Sequence, residues 1–219
     1  MTAAVPTLTH ERALLEETPL VFALDEVGRG ALAGPVTIGA SVLDARAADE
    51  PVPDGLRDSK LVPARRRPQV AGRAAAWVRA SGLGWATAGE VDEVGIVRAL
   101  GLAALRALAS VEAQGFAPAG GVVLLDGNHD YITPAGAAAL DVRTVVKGDR
   151  DCASLAAASV IAKVARDALM AELDADFPVY GWASNKGYAS ASHRSAIREH
   201  GLSAHHRRSW AIADAPALF

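Results

Sequence analysis

"VFALDEVGRGALAGPV", residues 21–36, begins as a buried strand and then breaks the rule for one. The apolar run Val21–Leu24 stops at two adjacent carboxylates, Asp25 and Glu26. Repulsion and desolvation both oppose such a pair unless a cation neutralises it. Further on, Val36, Ile38, Ala40 and Val42 alternate with Thr37, Gly39, Ser41 and Leu43, which is strand periodicity. The two segments are expected to pair as an antiparallel hairpin. Their connection is long and rich in glycine, and such loops in compact domains often carry function.

Two later segments repeat the design. "GGVVLLDG" (120–127) is an apolar run ending in Asp126, and "ALDVRTVVKGD" (139–149) leads to Asp149. Between the hairpin and these segments, residues 44–62 read as irregular. Residues 63–80 read as helical, with Pro68 limiting the start, and Gly82–Ala88 as a short strand. Thr87 and Glu90 have capping-box spacing ahead of a helix reaching about Ala113, weakened at Gly95 and Gly101. The clearest helix spans 150–173, with Leu155, Ala158, Ala162, Ala165 and Leu169 on one face and Asp151 as its N-cap. A turn at 176–190 precedes a shorter helix near Ser192 and the basic segment "HHRRSW" (205–210). One α/β domain whose C-terminal third packs as a small helical lobe is expected.

A chain of 219 residues, 51% hydrophobic, can bury one sizeable core. No secretory signal is visible in residues 1–18, no apolar run approaches a membrane span, and Cys152 has no partner cysteine. These features fit a cytoplasmic protein with no membrane partner, and a monomer is expected. The net charge of −3 gives no general pointer to nucleic acid. Residues 180–210 are nevertheless basic: Lys186, Arg194, Arg198, Arg207 and Arg208 face only Glu199, with four histidines added. A solvated charged surface would look the same.

The chemistry rests on a coincidence. Taken singly, Asp126 before Gly127 suits a turn and Asp149 suits a helix cap. Asp25–Glu26 does neither. In open α/β sheets, ligand sites lie beyond strand ends. If the three strands are neighbours, Asp25, Glu26, Asp126 and Asp149 converge, and an all-oxygen donor set suits Mg²⁺ or Mn²⁺. The glycine-flanked Arg29, between Gly28 and Gly30, allows close backbone approach to a sugar or phosphate.

The motifs "DEVGRG", "DSK" (58–60), "DGN" (126–128), "KGD" followed by "ASLAAASVIAKVARD", "NKGY" (185–188) and "HHRRSW" occur together and in this order. In this the chain resembles the bacterial type 2 ribonucleases H, the ribonuclease HII family, from about Leu20 to Trp210. The resemblance implies a ribonuclease H-like mixed central sheet flanked by helices, with a helical C-terminal extension. Residues 1–175 would be the catalytic core and 176–219 the extension. It implies an endonuclease that cuts the RNA strand of RNA–DNA hybrids and cuts 5′ to a single ribonucleotide in duplex DNA. It implies two divalent ions, Mg²⁺ or Mn²⁺, on Asp25, Glu26, Asp126 and Asp149. Gly28, Arg29 and Gly30 would hold the ribose 2′-OH, and Tyr188 would pack on the next sugar. Lys60, Lys147 and Lys186 would contact the backbone nearby. Leu61, Ser190 and Trp210 depart from the family pattern without touching an acid. The tail "DAPALF" faintly resembles peptides that dock on sliding clamps, with Ala215 in place of the usual glutamine.

Two other readings share parts of this pattern. Sugar-kinase-like ATPases also place acids at strand ends, but Glu26 stands where their phosphate loops avoid negative charge. A duplex-binding protein whose acids hold a structural ion would bind hybrids without cutting them.

Overall fold

The computed structural model describes residues 5–210. The clamp-like tail at Ala217–Phe219 lies outside them. Five strands, β1 (Val21–Val27), β2 (Val36–Leu43), β3 (Ala80–Ala86), β4 (Val122–Asp126) and β5 (Asp141–Val145), form one sheet in the order β3-β2-β1-β4-β5. β1 pairs with β2 antiparallel and with β4 parallel, so the sheet is mixed. The helices are α1 (Thr9–Leu15), α2 (Ala45–Asp49), α3 (Arg67–Trp77), α4 (Ala88–Val94), α5 (Ile96–Glu112), α6 (Gly148–Asp151), α7 (Ala153–Asp176), α8 (Trp182–Asn185) and α9 (Ala191–His200). Among the described residues no helix is long and apolar enough to cross a membrane.

Strand alternation sorts the core into two layers. Phe22, Leu24, Ile38, Val42, Val123 and Leu125 pack with α5 on one face, while Val21, Ala23 and Leu124 pack with α3 and α7 on the other. Glycines let the helices come close. A Cβ on Gly84 would lie 1.8 Å from the Ala103 carbonyl oxygen of α5. On β2, a Cβ on Gly39 would lie 2.3 Å from the Ala158 carbonyl oxygen of α7.

Several expectations change. β1 does not stop at Asp25 but runs through both acids to Val27, because antiparallel pairing with β2 continues to Thr37. β5 is a half-buried edge strand ending at Val145, and Asp149 lies beyond it in α6. The helix expected from Thr87 to Ala113 breaks at Gly95, whose φ of 79° no helix accepts. The capping box at Thr87 and Glu90 is present. Residues 45–49 are helical, capped by the Asp44 side chain on the Ala47 N–H. The long helix is not capped by Asp151. Instead, buried Glu11 of α1 accepts the N–H and hydroxyl of Ser154 at 2.8 and 2.7 Å. The buried face of α7 also turns: Ala165 and Leu169 are half-buried, while Arg166 and Met170 are fully buried.

A third cluster joins Tyr180, Trp182, Ala196 and Ile197 of the C-terminal segment to Met170 and to Leu32 and Ala33 of the β1–β2 loop. Two guanidiniums with no solvent exposure seal this junction. Arg166 donates to the carbonyls of Pro35, Lys186 and Ala33 at 2.8, 2.9 and 3.0 Å. Arg207 donates to those of Gly28, Arg29 and Gly34, the first two at 2.7 Å. Arg207 is one of the basic residues counted in 180–210, and its burial removes it from the charged surface that stretch suggests.

Two stability predictions follow from this packing. Gly84→Ala should destabilise the fold by about 2–4 kcal/mol in urea unfolding, because backbone rather than a flexible side chain blocks the methyl. Arg207→Lys should cost about 2–3 kcal/mol despite keeping the charge, since one ammonium cannot replace a planar fork spread over three carbonyls. A midpoint unchanged from the parent in either variant would contradict the corresponding contact.

Candidate active site

Adjacent residues of a strand point to opposite faces, so Asp25 and Glu26 diverge. Asp25 shares the face of Val21 and Ala23, towards α7, whereas Glu26 shares that of Phe22 and Leu24. Parallel pairing sets Leu24 beside Leu125, so Asp126 sits one step on, beside Asp25 and on its face. Asp149 arrives from the first turn of α6, and its N–H donates to Asp126 Oδ1 at 3.2 Å. Asp25 Oδ1 accepts the Glu26 N–H at 2.8 Å. The structure thus brings all four predicted acids to one edge of the sheet.

The electrostatics are adverse to the bare acids. Burial, then the negative charge of Asp126, holds the Asp25 carboxyl well above the usual carboxylate range, and a hydrogen bond from Ser159 only partly offsets this. Burial also raises Asp126, against hydrogen bonds from the Asp149 and Gly148 N–H groups. Asp149 is raised by burial and by Asp126, and lowered by Lys60. Lys60 reaches Asp149 Oδ2 at 3.2 Å and Asp58 at 3.8 Å. Burial works against its ammonium, but the carboxylates of Asp149, Asp58 and Asp25 outweigh that and raise its pKa.

This donor set suits a divalent cation of the hard, oxygen-seeking kind, which would relieve the repulsion that the acids now carry. Among the described residues, no three His, Cys, Asp or Glu side chains already close around one point. The acids form a shared acidic edge rather than a finished cage.

Beside them opens a cleft of about 490 Å³, lined by Asp25, Glu26, Gly28, Arg29, Gly30, Lys60 and Tyr188 of the predicted set. Asp126, Asp149, Lys147 and Lys186 do not line it. Lys147 is an exposed residue with a φ of 59° at the start of α6, and Lys186 turns its ammonium to the Asp167 carbonyl at 3.3 Å. Ser59, Arg67, Ser159 and Lys163 line the cleft and were missed by sequence reasoning. Arg67 and Lys163 share Asp167, at 3.6 and 2.7 Å. Lys163 lies on α7 four residues beyond Ser159, so helical spacing from Ser159 was the available signal. A larger cavity of about 620 Å³, around Trp77 and Arg73, holds none of the predicted residues.

Gly28 takes a φ of 85°, and a Cβ there would sit 2.1 Å from Arg166 Nε. The loop is therefore pressed onto one buried arginine while Arg207 draws in its carbonyls. Among the described residues no acceptor takes the N–H of Arg29 or Gly30, and an unpaired amide at a cleft rim is a donor for a ligand oxygen. Tyr188 stands 36% exposed on the cleft wall, with Lys163 and Arg166 at 5.7 and 5.5 Å from its ring centre.

Comparison with known proteins gives the family and the fold. The family model described as Ribonuclease HII matches residues 23–213. A Ribonuclease HII of Streptomyces coelicolor is 45% identical over 212 residues, covering 96% of this chain and 85% of that protein. Among solved structures, the ribonuclease H2 of Pyrococcus horikoshii superposes with a TM-score of 0.67 at 24% identity, over 89% of this chain and 95% of that one. Bst-RNase HIII in complex with Mn²⁺ gives a TM-score of 0.68 at 19% identity, over 95% and 71% of the two chains. These last two likenesses speak for the fold. The chain belongs to the ribonuclease HII family and is a ribonuclease H, an endonuclease that degrades the RNA of RNA–DNA hybrids.

Proposed function

We propose that this ribonuclease H also cuts 5′ to a single ribonucleotide embedded in duplex DNA. We further propose that it works with two divalent ions, Mg²⁺ or Mn²⁺, held by Asp25, Glu26, Asp126 and Asp149. One observation carries the reading: Asp25 and Glu26, with Asp126 and Asp149 next to them at the sheet edge, line the same cleft as the Gly28–Gly30 loop. The Mn²⁺ complex of the Bst-RNase HIII relative supports a divalent ion.

The ions would supply Lewis acidity and charge neutralisation at the scissile phosphodiester. Water adds to phosphorus, the bond to the 3′-oxygen breaks, and a proton ends on that oxygen. This leaves a 5′-phosphate on the ribonucleotide and a 3′-OH upstream. The free N–H groups of Arg29 and Gly30 offer donors to a 2′-OH, which separates RNA from DNA without reading the base. Tyr188 offers an aromatic face to the neighbouring sugar, where a deoxyribose fits against it. Lys60 is the backbone cation nearest the acids. For Lys147 and Lys186, the same role requires the duplex to extend past the cleft. The C-terminal segment from residue 176 would serve as an extension that braces the loop, with the core before it.

Asp25→Asn should keep the circular dichroism spectrum and lose cleavage by roughly a thousandfold or more. It should also unfold at higher urea in chelator, because a repelling buried carboxylate is gone. Near-parental turnover would remove the assignment. Tyr188→Ala should lower kcat/KM about tenfold on a duplex with one ribonucleotide, and less on a continuous hybrid. Equal kinetics on the single-ribonucleotide duplex would discard the sugar contact.

A further inference from the structure

The histidines of the basic C-terminal segment looked like surface groups, yet His193 and His206 are 0% and 1% exposed. Their hydrogen bonds leave one neutral arrangement. His193 Nδ1 lies 2.9 Å from the Tyr188 carbonyl oxygen. A carbonyl only accepts, so Nδ1 carries the proton and Nε2 a lone pair. That lone pair accepts the Trp182 indole N–H at 3.1 Å. On the other ring, the Ser203 N–H donates to His206 Nδ1 at 3.0 Å. A backbone N–H only donates, so His206 Nδ1 is bare and its proton sits on Nε2. The remaining contact, His206 Nε2 to His193 Nε2 at 3.1 Å, then has its donor on His206, and the one lone pair of His193 Nε2 is shared between this bond and that from Trp182. Burial favours the neutral form of both rings. It lowers His193, and together with the nearby His193 it brings His206 down to about 4.

The chain of bonds ends on Tyr188. Its carbonyl accepts the Ser190 N–H at 2.8 Å as well as His193, and its own N–H donates to the Asn185 carbonyl at 2.9 Å. The other end reaches the β1–β2 loop. His206 forms a β-bridge with Ala33, and its neighbour Arg207 holds the Gly28 and Arg29 carbonyls. The same short segment therefore registers both the glycine loop and Tyr188.

We propose that His193 and His206 are positioning residues: locked in one tautomer pair, they set the Tyr188 peptide at a fixed place opposite the Gly28–Gly30 loop. The proposal rests on the reading of Tyr188 as the sugar contact. A plain packing role for the two rings, which also pack edge-on against Tyr180 and Trp182, predicts different results.

The test has two arms. In the unmodified chain at neutral pH, long-range ¹H–¹⁵N correlation of the imidazoles should find the proton on Nδ1 of His193 and Nε2 of His206. The reverse tautomers or a charged ring would overturn the proposal. In kinetics on a duplex with one ribonucleotide, His193→Leu should lower kcat/KM about as far as Tyr188→Ala, ~10-fold, and the double variant should be no worse than either single one. His193→Asn, which keeps a donor for the Tyr188 carbonyl, should recover part of the loss. Additive losses, or a folded His193→Leu with parental kinetics, would overturn positioning while leaving the sugar contact intact. A parental Tyr188→Ala would overturn the sugar contact and the positioning with it.

Discussion

Two buried arginines, neither of which forms an ion pair among the described residues, hold the glycine loop and the Tyr188 turn together. Arg166 and Arg207 are fully buried, and their side-chain hydrogen bonds run to backbone carbonyls. A buried charge is costly unless its donors are satisfied, and a planar guanidinium can satisfy several carbonyls at once. Burial lowers both, and the proximity of Arg166 helps bring Arg207 down to about 10, which keeps it cationic at neutral pH. The carbonyls belong to the β1–β2 loop and to the Lys186 turn. The brace therefore defines where the loop sits relative to α7 and to Tyr188.

The acidic edge follows the opposite logic. Asp25, Asp126 and Asp149 are brought together by strand pairing and a short helix that do not depend on their charges. Burial and mutual repulsion then disfavour the ionised forms. The fold tolerates that cost because the core beneath is extensive, with apolar layers on both faces of the sheet. Lys60 gives partial relief from solvent, and a divalent ion would give more. The acidic edge therefore lowers the stability of the bare fold.

Between these two regions lies α7. Its first turn is capped from a distance by Glu11, its second supplies Ser159 to Asp25, and its later turns supply Lys163 and Arg166. One rigid helix thus spaces the acidic edge from the glycine loop, and helices hold such spacing better than loops do.

The sequence by itself determined the strand pattern of β1 and β2, the capping box at Thr87, the four acids and the glycine loop. These are legible because they rest on local periodicity, charge placed against burial, and motif order. It misplaced what depends on distant partners. Asp149 read as a strand end, although the strand stops at Val145 and a short helix carries the acid. Asp151 read as a cap, although Glu11, more than a hundred residues away in the chain, takes that role. Arg207 and His206 read as a basic surface, because charge in a sequence says nothing about which carbonyls wait for it. Only the tertiary structure decided that these groups are buried and satisfied. The physical reason is that a polar group's position is set by its hydrogen-bond partners, and here those partners, backbone carbonyls for Arg207, the His193 ring for His206 and the Glu11 carboxylate for Ser154, lie elsewhere in the chain.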